Sequence, residues 1–264
     1  MPSVPPRRLL ILALLLAASL SAVAFRLQAP NSTRSSKINA KTLDPQLILW
    51  AWERPEDLGF IDAQKTGVAY LAKTVFLRGP QVLAKPRLQP LSIPSGTSVI
   101  PVARIEADAE DKPTLSGEQA REAATQISQL ALLPNVSTVQ VDFDATTTQR
   151  EFYRVLLIEL RKQLPPSTML SITALASWCQ GDDWLGILPI DEAVPMLFRM
   201  GIDRNAILSR LAGEGFRATR CESSAGISTD ELINNLPAVS RLYVFNPDGW
   251  TRDALNKVME TYQR

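Results

Sequence analysis

The sequence predicts an α/β fold of the (β/α)8 type, a barrel resembling that of triosephosphate isomerase. Three observations predict it. Eight short apolar runs with strand character recur between residues 46 and 264, and most are separated by stretches with helical spacing or helix-capping residues. That span is about 220 residues, at the lean end of the roughly 200 to 400 such barrels occupy. Charged and aromatic residues gather where the runs end, and barrels place their chemistry at strand C-termini. The runner-up architecture is an open doubly wound sheet, but no glycine-rich phosphate loop follows the first run, which argues against a nucleotide-binding version of it.

Near the N-terminus lie Arg7 and Arg8, followed by an apolar run from Leu9 to Ala24. The run is short for a spanning helix and fits the core of an export signal, with Ala22-Val23-Ala24 matching a small-x-small cleavage pattern. Residues 1–24 are thus expected to be a signal peptide, or an uncleaved anchor in the inner membrane. Residues 25–45, rich in Ser, Asn, Thr and Arg, read as a polar linker with too little apolar content to pack. A single barrel domain, 46–264, is expected to lie in the periplasm or outside the cell.

The first strand is Leu47–Trp52, and Pro55 in a first-turn position predicts a short helix after it. Gly67–Leu71 is the second. Residues 74–97 hold four prolines and two glycines, so the second helix should be replaced by an irregular or hairpin insertion. Ser98–Ile105 is the third strand, and Ser116 with Gln119 boxes a helix running to about Leu132. The fourth, Val139–Ala145, alternates strictly: Val139, Val141 and Phe143 on one face, Gln140, Asp142 and Asp144 on the other. Thr148 and Glu151 then box a helix with Phe152, Val155, Leu156 and Leu160 on one stripe. Met169–Ala176 is the fifth strand, followed by a turn of helix near Asp182. Ala193–Arg199 is the sixth, followed by a helix capped by Asp203. Phe216–Cys221 is a weak seventh, with Ser228 and Glu231 boxing the next helix. Arg241–Phe245 is the eighth, and Thr251 caps a last helix with Leu255, Val258, Met259 and Tyr262 at helical spacing.

Composition narrows the chemistry. Net charge is +1 with no basic block, which gives nucleic acid no footprint. Histidine is absent, which removes Ser-His-Asp and Cys-His systems and histidine-ligated metals. No metal or other cofactor is implied. Acid–base work must fall mainly to Asp, Glu, Tyr or Lys.

Strand ends place Glu53, Arg104, Glu106, Asp142 and Asp144 at one mouth, joined by Trp178, Arg199, Glu222 and Asn246. Asp142 and Asp144 should have Cα atoms about 6.6 Å apart, at a rise of about 3.3 Å per residue. Acids this close can push each other's pKa apart, as acid–base catalysis requires. Asp142 can equally be a buried carboxylate paired with Arg104 on the neighbouring strand. Trp50, Trp52 and Trp178 are either stacking platforms for sugars or core. Asp191 and Glu192 precede their strand and belong on the opposite, stability face. Cys179 and Cys221 follow strand ends and, in an oxidising compartment, are expected to pair at the mouth rather than remain free thiols.

Trp50-Ala51-Trp52-Glu53-Arg54-Pro55-Glu56-Asp57, Val139–Ala145, Leu170–Cys179 and Asp191–Gly201 resemble the bacterial DUF3142 family, exported proteins of uncharacterised activity. More distantly, Asp142-Phe143-Asp144 resembles the Asp-x-Asp-x-Glu strand-four motif of chitinase-type glycoside hydrolases, and Met196-Leu197-Phe198 their strand-six Met-x-Tyr. The motif's catalytic Glu falls at Thr146, and the Asp after Met-x-Tyr at Arg199. The resemblance implies a glycoside-hydrolase-like barrel acting on cell-envelope carbohydrate, or a non-catalytic barrel that binds carbohydrate or another envelope component. Asp142, Asp144, Glu53, Glu106 and Glu222 are the candidate catalytic carboxylates. Trp52, Arg104, Trp178, Arg199 and Asn246 are candidate substrate contacts.

Overall fold

A computed structural model describes residues 46–181 and 183–262 of the protein. The expected signal or anchor, the linker and Asp182 itself lie outside the described residues; the turn of helix expected near Asp182 is Trp178–Gly181. Eight parallel strands pair side by side and close: β1 (Gln46–Ala51), β3 (Thr66–Arg78), β6 (Val99–Ala107), β7 (Thr138–Asp142), β8 (Met169–Leu175), β9 (Glu192–Met196), β10 (Ser224–Ser228) and β11 (Arg241–Phe245). Closure is the β1–β3 ladder on one side of β1 and the β1–β11 ladder on the other. This is the expected (β/α)8 barrel.

Strand alternation divides the apolar residues into two cores. Ile48, Trp50, Ala69, Ile100, Val102, Val194 and Tyr243 fill the barrel. A larger core lies between the barrel and its outer layer, and takes Val139, Val141 and Phe143 from β7 and Phe152, Leu156 and Leu160 from α2 (Arg150–Gln163). The alternation read from the fourth strand therefore holds: Gln140 faces inward, where it accepts a hydrogen bond from Trp50 Nε1 at 3.0 Å and donates to Ser171 at 3.1 Å. Burying an indole removes roughly 200 Å² from water, about 5 kcal/mol at most at ~25 cal/mol per Å².

Gly226 is fixed by this core. A Cβ there would lie 2.9 Å from the Trp50 ring, so β10 must be glycine where the indole crosses it. The inward residues of β10 are Ser224 and Gly226, which explains the misplaced seventh strand. A strand that presents small polar residues to a crowded interior carries no apolar pattern. Phe216–Cys221, chosen instead, belongs to the outer layer. Its Arg217 and Ala218 amides donate to the Cys179 carbonyl, and Thr219–Cys221 is a turn of 3-10 helix.

The outer layer is thinner than expected. The insertion after strand two is a hairpin: β3 runs on as an antiparallel pair with β4 (Gln81–Pro86), turning at Gly79 with φ +44°. The helix expected after Pro55 is instead a two-residue strand, β2 (Glu56–Asp57), paired with β5 (Leu91–Ser92). Glu56 is buried there because its carboxylate accepts the Trp250 amide at 3.1 Å. No helix follows β10 either. The Glu231 side chain, needed for the expected capping box, binds the Arg199 amide and Arg204 instead.

The helices that remain are α1 (Gly117–Ser128), α2, the short α3 (Trp178–Gly181), α4 (Arg204–Glu214) and α5 (Arg252–Tyr262). Ser116 caps α1 and Thr251 caps α5. Before α2 the box is Thr146–Gln149 rather than Thr148–Glu151. The strand stops at Asp142 and turns through an Ala145–Phe143 hydrogen bond, so the helical turn begins two residues early, and Glu151 pairs with Arg154. Asp203 makes no side-chain cap, because a 3-10 turn over Gly201–Asp203 already gives it helical backbone.

Cys179 and Cys221 form the expected disulfide, with Cα atoms 5.9 Å apart. It does not lie at the mouth. Cys221 precedes β10 instead of ending a strand, and both sulfurs are buried in the outer core. At the N-terminal face, Glu192 is fully buried on Ser224, Tyr243 and Arg241. Asp191 meets Arg161 at 2.6 Å.

Candidate functional site at the barrel mouth

The C-terminal ends of the strands surround a cavity of about 710 Å³. One wall is aromatic. Phe198 stacks on Phe245 with centroids 5.9 Å apart and planes 11° from parallel, and Trp52 meets Phe245 edge-on at 6.4 Å. Trp50 forms the floor beneath Phe198. The other wall is charged: Arg104 and Glu106 from β6, and Asp142 and Asp144 from the end of β7. These four residues also line a second recess, of about 500 Å³, which reaches Thr146 and Gln149.

Asp142 is the deepest carboxylate, 5% exposed. One oxygen accepts from the Thr173 hydroxyl at 2.7 Å and the other from Arg104 at 3.0 Å. The register puts Arg104 directly beside Asp142, so the pairing follows from strand geometry. Burial pushes the Asp142 carboxyl above its ordinary range; the Thr173 bond and Arg104 pull against it, and Asp144 adds to it. Arg104 spans two acids, bonding Glu106 at 2.9 Å as well. Burial draws its pKa down, but Asp142 and Glu106 more than offset this and hold it raised.

Asp144 and Glu53 differ. Both are exposed in the cavity and make no hydrogen bond or ion pair among the described residues. Glu53 and Trp52 sit just past β1 on a segment held from outside. Arg87, in the hairpin insertion, donates to the carbonyls of Trp52, Arg54 (2.5 Å) and Ala51 (3.4 Å). Across the mouth, Arg199 has φ +52°, a conformation rare for a residue with a side chain. Both Glu231 oxygens accept its amide at 3.1 Å, which fixes that conformation. Its guanidinium lies 5.8 Å from the Phe245 ring centre.

Of the sequence candidates, the mouth thus gathers Asp142, Asp144, Glu53, Glu106, Trp52, Arg104 and Arg199. Three lie elsewhere. Trp178 is buried in the outer core against Trp184 at 4.9 Å, because the chain turns outward once β8 ends. Glu222 lies just before β10, at the other end of the barrel, a direct consequence of the misplaced strand. Asn246 is buried in a turn, accepting from Thr229 and bonding Gly249. The residues missed were Thr173 and Phe245, which the inward alternation of β8 and the end of β11 could have found. Arg87 carries no sequence signal. Among the described residues no group of acids or cysteines is arranged to hold a metal ion. No helix among them is long and apolar enough to cross a membrane.

No family model matches the chain, and no curated protein does. Among solved structures it is similar to the chitinase domain of the spore coat protein CotE from Clostridium difficile. The identity is 13% and the TM-score 0.42, over 77% of this chain and 69% of that one. A likeness this distant carries no argument about chemistry.

Proposed function

We propose that this barrel is an exported, glycoside-hydrolase-like protein that takes cell-envelope carbohydrate at its mouth. The observation that carries the reading is one cavity with stacked aromatic rings on one wall and carboxylates on the other. Sugar rings offer C–H faces to aromatics and hydroxyls to carboxylates. In this reading Asp144 and Glu53 are the reacting pair, since both face the cavity without a partner. Asp142 is locked by Thr173 and Arg104 and sets the field around Asp144. The disulfide supports an oxidising compartment, outside the cytoplasm. The DUF3142 resemblance points the same way on export and names no activity.

A second reading, a non-catalytic carbohydrate-binding barrel, is favoured by one observation. Thr146 stands where a chitinase-type enzyme carries its acid, and its side chain serves as a helix cap. A hydrolysis screen on envelope glycans, run with the native protein and Asp144→Asn and paired with tryptophan-fluorescence titration, separates the two. Turnover lost in Asp144→Asn supports the enzyme; binding without turnover supports the second reading. Neither binding nor turnover with any glycan would sink both.

A further inference from the structure

We propose that the saccharide this mouth prefers carries a protonated amine, as a de-N-acetylated amino sugar does. The inference rests on the carbohydrate reading above and adds the substrate's charge. It starts from which charged groups at the mouth are already satisfied. Arg104 is taken by Asp142 and Glu106, at 3.0 and 2.9 Å. Arg199 lies 3.8 Å from Asp230 and rests over Phe245. Three carboxylates remain: Asp144, Glu53 and Asp203. Each is exposed and without a hydrogen bond or ion pair among the described residues. Glu53 feels Arg87, and Asp144 feels Arg104, only through longer-range attraction. The cavity therefore presents unneutralised negative charge, although the chain as a whole is close to neutral.

The aromatic rings of the mouth suit the same ligand. Ring faces attract cations, and the mouth already uses them so: Arg104 lies 5.8 Å from the Trp52 ring centre, and Arg199 the same distance from Phe245. An ammonium group held between ring and carboxylate gains a charge-assisted hydrogen bond and a cation–π contact together. A neutral hydroxyl gains neither charge term. A uronate or phosphate would meet the unpaired acids and be repelled. The cavity thus discriminates by sign before it discriminates by shape.

The test titrates the folded protein with β-linked glucosamine oligosaccharides, their N-acetylated counterparts and glucose oligosaccharides of equal length. The amine form is expected to bind at least about tenfold more tightly than either, with the preference shrinking as salt is raised. Asp144→Asn and Glu53→Gln should each weaken binding of the amine about tenfold and weaken binding of the N-acetylated form by clearly less, since only the charge term is specific to the amine. Asp203→Asn gives the same readout outside the proposed reacting pair. Equal or tighter binding of the N-acetylated or glucose oligosaccharides overturns this inference and leaves the carbohydrate reading standing. Binding of none of the three overturns both.

Discussion

Replacing Arg104 by leucine tests the electrostatics of the mouth most directly. The substitution removes the guanidinium that meets Asp142 at 3.0 Å and leaves that carboxylate, 5% exposed, with Thr173 alone. Removing one partner of a buried pair costs about 3–5 kcal/mol. Arg104 is itself one-third exposed beside an open cavity, so water will supply part of what is lost, and about 3 kcal/mol is expected. For a domain of this size that is a drop in melting temperature of about 6–12 °C. The sign with pH follows from the raised pKa of Asp142. A group whose folded pKa lies above its unfolded value stabilises the fold fully below the unfolded value, near ~4. That contribution is lost as pH rises through the folded value. Arg104→Leu raises the folded value further, so the deficit should be large at pH 7 and shrink as pH falls toward about 4. Denaturant unfolding of the native protein, Arg104→Leu, Asp142→Asn and the double variant at several pH values reads both effects. The double variant should recover most of the loss, since no unpaired charge then remains. A deficit at pH 7 within about 0.5 kcal/mol, or one undiminished at pH 4, would refute the reasoning.

Gly226→Ala should lower stability by about 1–3 kcal/mol, because its Cβ would lie 2.9 Å from Trp50, and calorimetry checks it. Reducing Cys179–Cys221, whose partners are 42 residues apart, should cost about 4 kcal/mol in the chain-entropy model, and no titratable thiol should appear in the denatured, unreduced protein. Arg87→Ala should free the Trp52–Glu53 segment, seen as a shift in tryptophan emission and weaker saccharide binding. Arg87→Lys should not restore either, since one ammonium cannot span three carbonyls. N-terminal sequencing of exported protein should begin at Phe25.

Legibility followed the interior's demand for apolar residues. β7 was readable because one of its faces meets a helix and the other meets Trp50 and Arg104. β10 was not, because its inward side must yield space to that same indole. The error propagated: a strand placed too early carried Glu222 to the wrong end and Cys221 to the mouth. The box expected at Ser228 failed for another reason. Ser228 and Glu231 have the right spacing, yet Glu231 is drawn to the Arg199 amide and Arg204, contacts made across the fold. A local signal of about 1 kcal/mol yields to two charge-assisted bonds.

The mouth shows the same limit at the scale of function. Strand register sets Arg104 beside Asp142, and alternation along one strand sets it beside Glu106. Sequence could not say which carboxylates would remain unpaired, and that decides the chemistry open to the site. Asp142 is one of the two acids the motif carries, yet both its oxygens are occupied. Glu53, from an unremarkable Trp52-Glu53-Arg54 run, faces the cavity on a segment whose flanking Trp52 and Arg54 carbonyls are held by Arg87, 34 positions after Glu53 in the chain. The hairpin that replaces the second helix is thus part of the mouth: it supplies the arginine that fixes where Trp52 and Glu53 stand.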